Sequence, residues 1–228
     1  MAVTGQQIAD DAWALMSDTN GGTGVRWQTA EVLRGINRAQ LEVVSLHPQA
    51  NTKSAKAVLL ADTRQTLAGM GLADGIQVLR LLRNWSADGN TVGRAITRVS
   101  MAQLDAERPD WHAETAAGAV EHFDLDPLDP ASVYVYPKPT AGLRAEVIYS
   151  AVPADLASLA SNLSLPDIYR NPVTYFLLSH MLSKRVQGSA NARAEAAGYY
   201  NQMVQSLGLR QQVLLGTDQT QRIKGAEA

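Results

Sequence analysis

The sequence predicts an α+β protein in which helices from both ends of the chain pack together around an inserted module of strands. Apolar residues recur every three to four positions at both ends, which is helical spacing, whereas the middle carries short apolar runs and alternating patterns typical of strands. Helices and strands that occupy separate stretches of a chain are typical of the α+β class. We therefore predict an antiparallel helical bundle from residues 1–50 and 154–208, an inserted β-module at 51–153 and a flexible C-terminal tail at 209–228.

Two helices are predicted in the N-terminal part. Thr4 and Gln7 have the spacing of a capping box, which marks a helix start. The glycine-rich segment 20–24 ends this helix, and a second helix with apolar residues on one face runs over about 27–46. Pro48 stops the second helix, because the residue before a proline avoids helical geometry.

Strands are predicted where short apolar runs are bounded by glycine, aspartate and asparagine, at 57–61 and 76–82, with a turn at 88–90. The clearest pattern is a hairpin in which 133–136 pairs with 143–149. Both segments alternate in polarity, so each is expected to bury one face. The connection between them is too long for a tight turn.

The C-terminal part predicts a pair of helices. Asn171 followed by Pro172 is typical of a helix start, and Gly188 stands where a helix ends. Ser189 can cap a last helix that ends at Gly208, and the short loop between the two helices predicts antiparallel packing.

Composition and charge narrow the classes of function. Of 228 residues, 46% are hydrophobic and 18% charged, which is a globular composition. The formal net charge is -2, so a strongly basic binder of nucleic acid or anionic membrane is not expected. No apolar run has the length of a membrane span, no secretory signal pattern is present, and there is no cysteine. We expect a protein that is made and kept in a cytoplasm.

The common catalytic signatures are absent from the sequence. It has no phosphate-binding loop, no dinucleotide-binding glycine motif, no serine-nucleophile elbow and no paired zinc histidines. His180 lies on an apolar helical stripe and is interpreted as a core histidine, and His47 as a helix-end residue. We therefore predict no catalytic residue and no cofactor.

An acidic segment at 121–129 is the strongest candidate for a metal site. It places four carboxylates in nine residues, and carboxylate oxygens are ligands that Ca²⁺ prefers. The candidate ligands are Asp124, Asp126 and Asp129. The spacing lacks the glycine and closing glutamate of an EF-hand, and aspartate before proline is typical of turns. Turn chemistry is the preferred interpretation.

A set of short motifs occurs in a fixed order between about Trp27 and Gly208. They are Ile36-Asn37, Ala39-Gln40, Gln65-Thr-Leu67, Arg83-Asn84, Gly89, Leu104-Asp105, Pro109-Asp-Trp111, Phe123-Asp124, Val133-Tyr-Val-Tyr-Pro137, Tyr149-Ser-Ala-Val-Pro153, Leu165-Pro166, Tyr169 and Tyr199-Tyr200. Their order and spacing resemble the head-to-tail adaptor proteins of tailed bacteriophages, a family that includes tail tubular protein A of short-tailed phages.

The resemblance implies a structural virion protein and not an enzyme. It implies a helical bundle with a β-sandwich-like insertion, and a ring of twelve copies in the neck between the portal and the tail or nozzle protein. Genomic DNA would pass through the ring lumen without sequence-specific binding, and no membrane would be involved. Before assembly the protein would reside in the host cytoplasm.

Two regions are predicted to make contacts in such a neck. The tail is predicted to dock on the portal through apolar anchors at Leu209, Val213, Leu214, Leu215 and Ile223. The strand-tip loop is predicted to face the tail side through Trp85, Asp88 and Asn90. A frayed terminus and an ordinary hairpin tip are the respective alternatives. For the whole chain, the alternatives are a tail terminator, a head-completion protein or a small enzyme with an acidic metal site.

Overall fold

The computed structural model describes residues 2–18, 24–184 and 190–225, and for residues 190 and 209–225 only the backbone. The chain forms two compact units: a helical unit from residues 1–50 and 153–228, and a strand unit from 51–152. The described residues contain five α-helices and two four-stranded sheets, which confirms the predicted α+β class. The helices are α1 (Gly5–Leu15), α2 (Thr29–Leu46), α3 (Met101–Glu107), α4 (Arg170–Lys184) and α5 (Ala190–Gly225).

The start of α1 and the end of α2 are as predicted. The Thr4 hydroxyl accepts from the Gln7 backbone N–H at 3.3 Å, and the Gln7 side chain accepts from the Thr4 N–H at 3.1 Å. This is the complete capping box. Helix α2 ends at Leu46, and Pro48 begins a short 3₁₀ helix. Most of the predicted break at 20–24 lies outside the described residues.

The C-terminal helices pack side by side through apolar stripes. The fully buried residues of α4 include Val173, Leu177 and Leu178, and α5 contributes buried Met203. The rings of Tyr175 and Tyr199 stack with centroids 6.4 Å apart. Further along, Ser183 of α4 lines the same depression as Arg193 of α5, so the two helices run antiparallel.

Two predicted helix ends are wrong. Helix α4 begins at Arg170, directly after a 3₁₀ helix at Asp167–Tyr169, and Pro172 is its third residue. Proline is tolerated there because N–H groups of the first turn have no acceptor within the helix. Helix α5 does not end at Gly208 but continues to Gly225. A single glycine inside a helix lowers helix stability by only about 1 kcal/mol relative to alanine. That loss is too small to end the helix here, because leucine, arginine and glutamine flank the glycine. The predicted Gly188 end and Ser189 cap lie outside the described residues.

The strand unit consists of two sheets, formed by the strands β1 (Thr52–Val58), β2 (Arg64–Thr66), β3 (Gly75–Trp85), β4 (Val92–Ala95), β5 (Thr97–Arg98), β6 (His122–Leu125), β7 (Ser132–Tyr136) and β8 (Arg144–Ala151). The first sheet has the order β1-β8-β3-β4 and the second β2-β7-β6-β5. All neighbouring strands are antiparallel except β5 and β6.

The predicted hairpin between 133–136 and 143–149 is wrong. These segments form β7 and β8, which belong to different sheets. Val133 and Val147 are fully buried in one apolar cluster to which both sheets contribute. The backbone of the connection bonds instead to Ala117, which donates to the Lys138 carbonyl at 2.8 Å and accepts from the Thr140 N–H at 2.9 Å. Alternation correctly predicted the buried faces of these strands but does not specify a strand's partner.

A second, smaller cluster covers the other face of β7. Tyr136 and Tyr134 point away from the shared apolar cluster and pack with Leu104 of α3 and the fully buried Trp111. The indole N–H of Trp111 donates to the Asp105 carboxylate at 2.9 Å. Helix α3 and the 3₁₀ helix after it, Trp111–Ala113, are therefore attached to the outward face of the second sheet.

Candidate functional site

Side-chain amides of α2 hold an irregular segment of the helical unit. The Asn37 amide accepts from the Leu156 N–H at 2.9 Å and donates to the Leu156 carbonyl at 3.3 Å. The buried Gln40 accepts from the Ser164 N–H at 2.8 Å. A buried backbone group without a partner is costly, so these amides stabilise a stretch that has little regular structure.

The strand unit uses the same device. Gln65, fully buried, accepts from the Leu60 N–H at 2.7 Å and donates to the Leu60 carbonyl at 2.9 Å. Asn84 accepts from the Val120 N–H at 2.9 Å, and donates to the carbonyls of Val120 at 2.7 Å and Arg94 at 3.0 Å. Several residues that carry the family resemblance therefore have a structural role in this chain.

The carboxylates of the acidic segment 121–129 pair with three arginines from nearby strands. Arg94 pairs with Glu121 at 3.1 Å and Arg98 with Asp124 at 3.0 Å. Arg64 lies 3.0 Å from Asp129, with its other carboxylate neighbour, Asp126, at 3.8 Å. The carboxylates of this segment are thus distributed among several cations.

Two of these aspartates also form turns. Asp126 accepts from the Leu128 N–H at 2.9 Å, and Asp129 accepts from the Ala131 N–H at 3.1 Å. The Ser132 hydroxyl, the Ala131 N–H and Arg64 together lower the pKa of the Asp129 carboxyl. Among the described residues, no group of three or more histidine, aspartate or glutamate side chains is placed to hold a metal ion. The geometry favours the turn interpretation for this segment.

The predicted strand-tip loop closes the β3–β4 hairpin. Gly89 has a φ of 74°, which a glycine adopts without strain, and its N–H donates to the Ser86 carbonyl at 2.8 Å. Asp88 accepts from the Ser86 hydroxyl and from the Asn90 N–H, and these bonds lower the pKa of its carboxyl. The polar side chains of the loop are therefore engaged in building the turn itself.

Cations from β1 and β8 attach this tip to the sheet. The Lys56 ammonium lies 3.6 Å from the centroid of the Trp85 ring and donates to the Gly89 carbonyl at 2.9 Å. Arg144 donates to the Ala87 carbonyl at 2.8 Å. Sequence reasoning selected Trp85 but missed Lys56 and Arg144, because strand pairing alone brings these distant positions together.

Comparison with models of known protein families identifies the family of this chain. The family model described as SU10 adaptor protein matches residues 3–224, nearly the whole chain. This chain belongs to the SU10 adaptor protein family. The resemblance to head-to-tail adaptors is thereby confirmed at the level of the family. A search of curated proteins found no match.

Family membership makes this chain a structural adaptor protein of a phage. It is a component of the virion neck, and the family associates with portal and tail proteins. Within the part of the chain that the structure describes, no helix combines the length and apolar character needed to cross a membrane.

The structure describes the two predicted contact regions of the adaptor to different extents. The backbone of the portal-docking segment is part of α5, but its side chains lie outside the described residues. These are Leu209, Val213, Leu214, Leu215 and Ile223. Trp85, Asp88 and Asn90 lie together at the tip of the β3–β4 hairpin. The docking roles of both regions remain predictions.

Proposed function

We propose that this adaptor forms a ring, of twelve copies as the resemblance implies, between the portal and the tail or nozzle protein. The ring lumen serves as a channel for the genome. The observation that carries the proposal is the family match over residues 3–224. The turn geometry and arginine pairing of the 121–129 segment favour this role over that of a small metal enzyme.

In this proposal the helical unit is the bundle of the adaptor and the strand unit is its β-sandwich-like insertion. Helices α1, α2, α4 and α5 contact one another within the helical unit, which supports a bundle. The inward residues of both sheets share one apolar cluster, which supports a sandwich-like module.

DNA passes the lumen without sequence-specific binding. A chain with a formal charge of -2 gives about -24 for twelve copies. Phosphates are held by dense arrays of lysine and arginine, so a ring without net positive charge favours sliding over retention.

The C-terminal part of α5 docks on the portal through the apolar anchors between Leu209 and Ile223. The described helix continues past Gly208 to Gly225, a rise of roughly 25 Å at helical spacing. That reach supports contact with a neighbouring ring. The hairpin tip at 85–90, built by its own hydrogen bonds, faces the tail side.

The first test mixes purified adaptor with portal rings from the same source and images the mixture by negative stain. A collar of added density on one end of the portal is the expected result, and rotational averaging gives its symmetry. Bare portal rings at adaptor concentrations well above micromolar would contradict portal contact and favour a tail terminator or head-completion protein.

The second test removes residues 209–228. We expect loss of the collar with an unchanged thermal unfolding transition, while the helical circular dichroism falls only by the contribution of the removed part of α5. In a matched pair, Leu214→Asp is expected to weaken attachment and Gln212→Asp to leave it intact, since both add one negative charge but only the first removes an apolar anchor. Retained attachment by the truncated chain would overturn the docking role.

A further inference from the structure

The outward face of the first sheet is basic. Ala57 of β1 and Val147 of β8 are buried in the shared cluster, so the residues that alternate with them point outward. The register of β3 shifts along its length, and its outward side is marked by the exposed Arg80 and by Arg83, which pairs with Glu146 of β8. Strand pairing places Lys56 beside Glu146, and Arg80 beside Ile148. Together the charged and aromatic side chains of this surface form what we call the basic face: Lys56, Arg80, Arg83, Trp85, Arg144 and Glu146.

The basic face has more cations than its one carboxylate neutralises. Glu146 accepts from Arg83 at 3.0 Å, from the Trp85 indole at 3.3 Å and from the Ser54 hydroxyl at 3.2 Å. Four cations against one carboxylate leave a formal charge of +3 on a surface where Lys56 and Arg80 are exposed. This concentration of positive charge occurs in a chain whose net charge is -2.

A surface of opposite charge lies elsewhere in the same unit. The segment from Met101 to Glu114 carries four carboxylates and one arginine, a formal charge of -3, and we call it the acidic helix segment. Asp105, Glu107 and Asp110 are exposed in it. Its arginine, Arg108, pairs with one of the four, Glu114, at 3.5 Å.

The two surfaces lie on opposite sides of the shared apolar cluster. The acidic helix segment packs on Tyr134 and Tyr136, which point outward from the second sheet. The basic face points outward from the first sheet. One copy therefore cannot bring its own two surfaces together, whereas two copies can.

We propose that the basic face docks on the acidic helix segment of a second copy of this chain. The charges are complementary, +3 against -3, and complementary patches both steer association and fix orientation. Contact between two different surfaces is head-to-tail, and repetition of such a contact closes a ring when the rotation permits. The proposal rests on the ring of the proposed function and assigns the surfaces by which neighbouring copies meet.

Charge reversal tests the contact. Lys56→Glu with Arg80→Glu reverses one surface, and Glu107→Lys with Asp110→Lys reverses the other. Either pair is expected to weaken self-association on the order of tenfold at low salt, because like charges would then face each other. The chain with all four substitutions regains association, since both surfaces are then inverted. Asp10→Lys with Glu195→Lys, at exposed positions of the helical unit, changes the net charge by the same amount as Glu107→Lys with Asp110→Lys and is the matched control for that pair.

The readouts are sedimentation velocity at low and high salt, and carbodiimide cross-linking of mixed labelled and unlabelled copies, free and on portal rings. Cross-links between Lys56 of one copy and Glu107 or Asp110 of another are expected. Absence of these cross-links in both settings, or association unaffected by either reversal, overturns the proposal.

If the wild-type chain forms collars and both reversed variants form them equally, the contact is wrong and the adaptor role stands. If reversal of Lys56 and Arg80 abolishes binding of duplex DNA while association is unchanged, the basic face is a nucleic-acid surface and the proposal fails.

Discussion

The helices of the helical unit pack mainly through apolar stripes, whereas the strand unit combines two apolar clusters with many ion pairs. Within the described residues, the helical unit pairs Arg170 with Asp11 and Lys184 with Glu31. The strand unit pairs the following charges: Lys53–Asp74, Arg64–Asp126, Arg64–Asp129, Arg83–Glu146, Arg94–Glu121, Arg98–Asp124 and Arg108–Glu114.

The two units also differ in how much of their backbone is paired within regular elements. A helix pairs its own N–H and C=O groups and needs only an apolar stripe to pack. Short strands joined by long connections leave backbone groups that polar side chains must satisfy, as Asn84 and Gln65 do here. We therefore expect the helical unit to be most sensitive to lost apolar volume, and the strand unit to lost hydrogen bonds.

The largest effect is expected in the helical unit from Leu177→Ala. Leu177 is fully buried in α4, where it also approaches Gly35 of α2. Removing a buried leucine side chain and leaving a cavity costs about 3 kcal/mol of unfolding free energy. Chemical denaturation measures the change, with Ile168→Ala at a 58% exposed position as the control. A loss below about 1 kcal/mol would contradict packing through this stripe.

A somewhat smaller effect is expected in the strand unit from Asn84→Ala. The substitution removes the acceptor of the buried Val120 N–H and the donor to two backbone carbonyls, those of Val120 and Arg94. We expect the unfolding free energy to fall by about 2 kcal/mol. Amide exchange should accelerate at Val120 in particular. Asn90→Ala, at the exposed hairpin tip, is the matched control and should change unfolding free energy by less than about 0.5 kcal/mol. Equal effects of the two substitutions would refute the distinction between a buried amide and a surface one.

The smallest expected effect is the pH dependence of the stability that Asp18 contributes to the helical unit. Burial alone would raise the pKa of the Asp18 carboxyl, but the backbone N–H groups of Arg26, Trp27 and Val25 donate to it and lower that pKa below 3.8. A lowered pKa in the folded state contributes stability above the unfolded value, and this contribution is lost as pH falls through the folded pKa. The advantage of the wild type over Asp18→Asn should therefore be largest above pH 3.8 and shrink below it.

Denaturation of both chains across this pH range measures the difference. A constant difference between wild type and Asp18→Asn from about pH 6 to about pH 2.5 would show that the Asp18 charge does not contribute. Ser45, whose hydroxyl donates to the Leu41 carbonyl at 2.9 Å in α2, offers a neutral comparison: the effect of Ser45→Ala on unfolding free energy should not depend on pH over this acid range.

Sequence patterns predicted the ends of helices correctly where the residues that set the end are close together in the chain. The capping box of Thr4 and Gln7, and the end of α2 before Pro48, depend on residues within a few positions of one another. The same reasoning was wrong at Gly208, where a single glycine is outweighed by its helix-forming neighbours. It was also wrong at Asn171, where the preceding 3₁₀ helix starts α4 earlier.

The candidate surfaces could be predicted only in part. The hairpin tip near Trp85 follows from its turn residues, but the Lys56 and Glu146 that contact Trp85 come from other strands. No spacing in the sequence links these positions, since the register of β1, β8 and β3 brings them together. The basic face could therefore not be predicted from the sequence, because the basic residues of this chain do not cluster along it.

The sequence by itself determined the α+β class, the capping box of α1, the end of α2, the turn at 88–90, the buried faces of β7 and β8, and the membership of the adaptor family. Tertiary structure alone decided which strands pair and where charges accumulate. The reason is that a period of two or 3.6 residues specifies which side of an element is buried but not its neighbour. The strands β7 and β8 show this directly, because both bury the predicted faces in one apolar cluster and yet belong to different sheets.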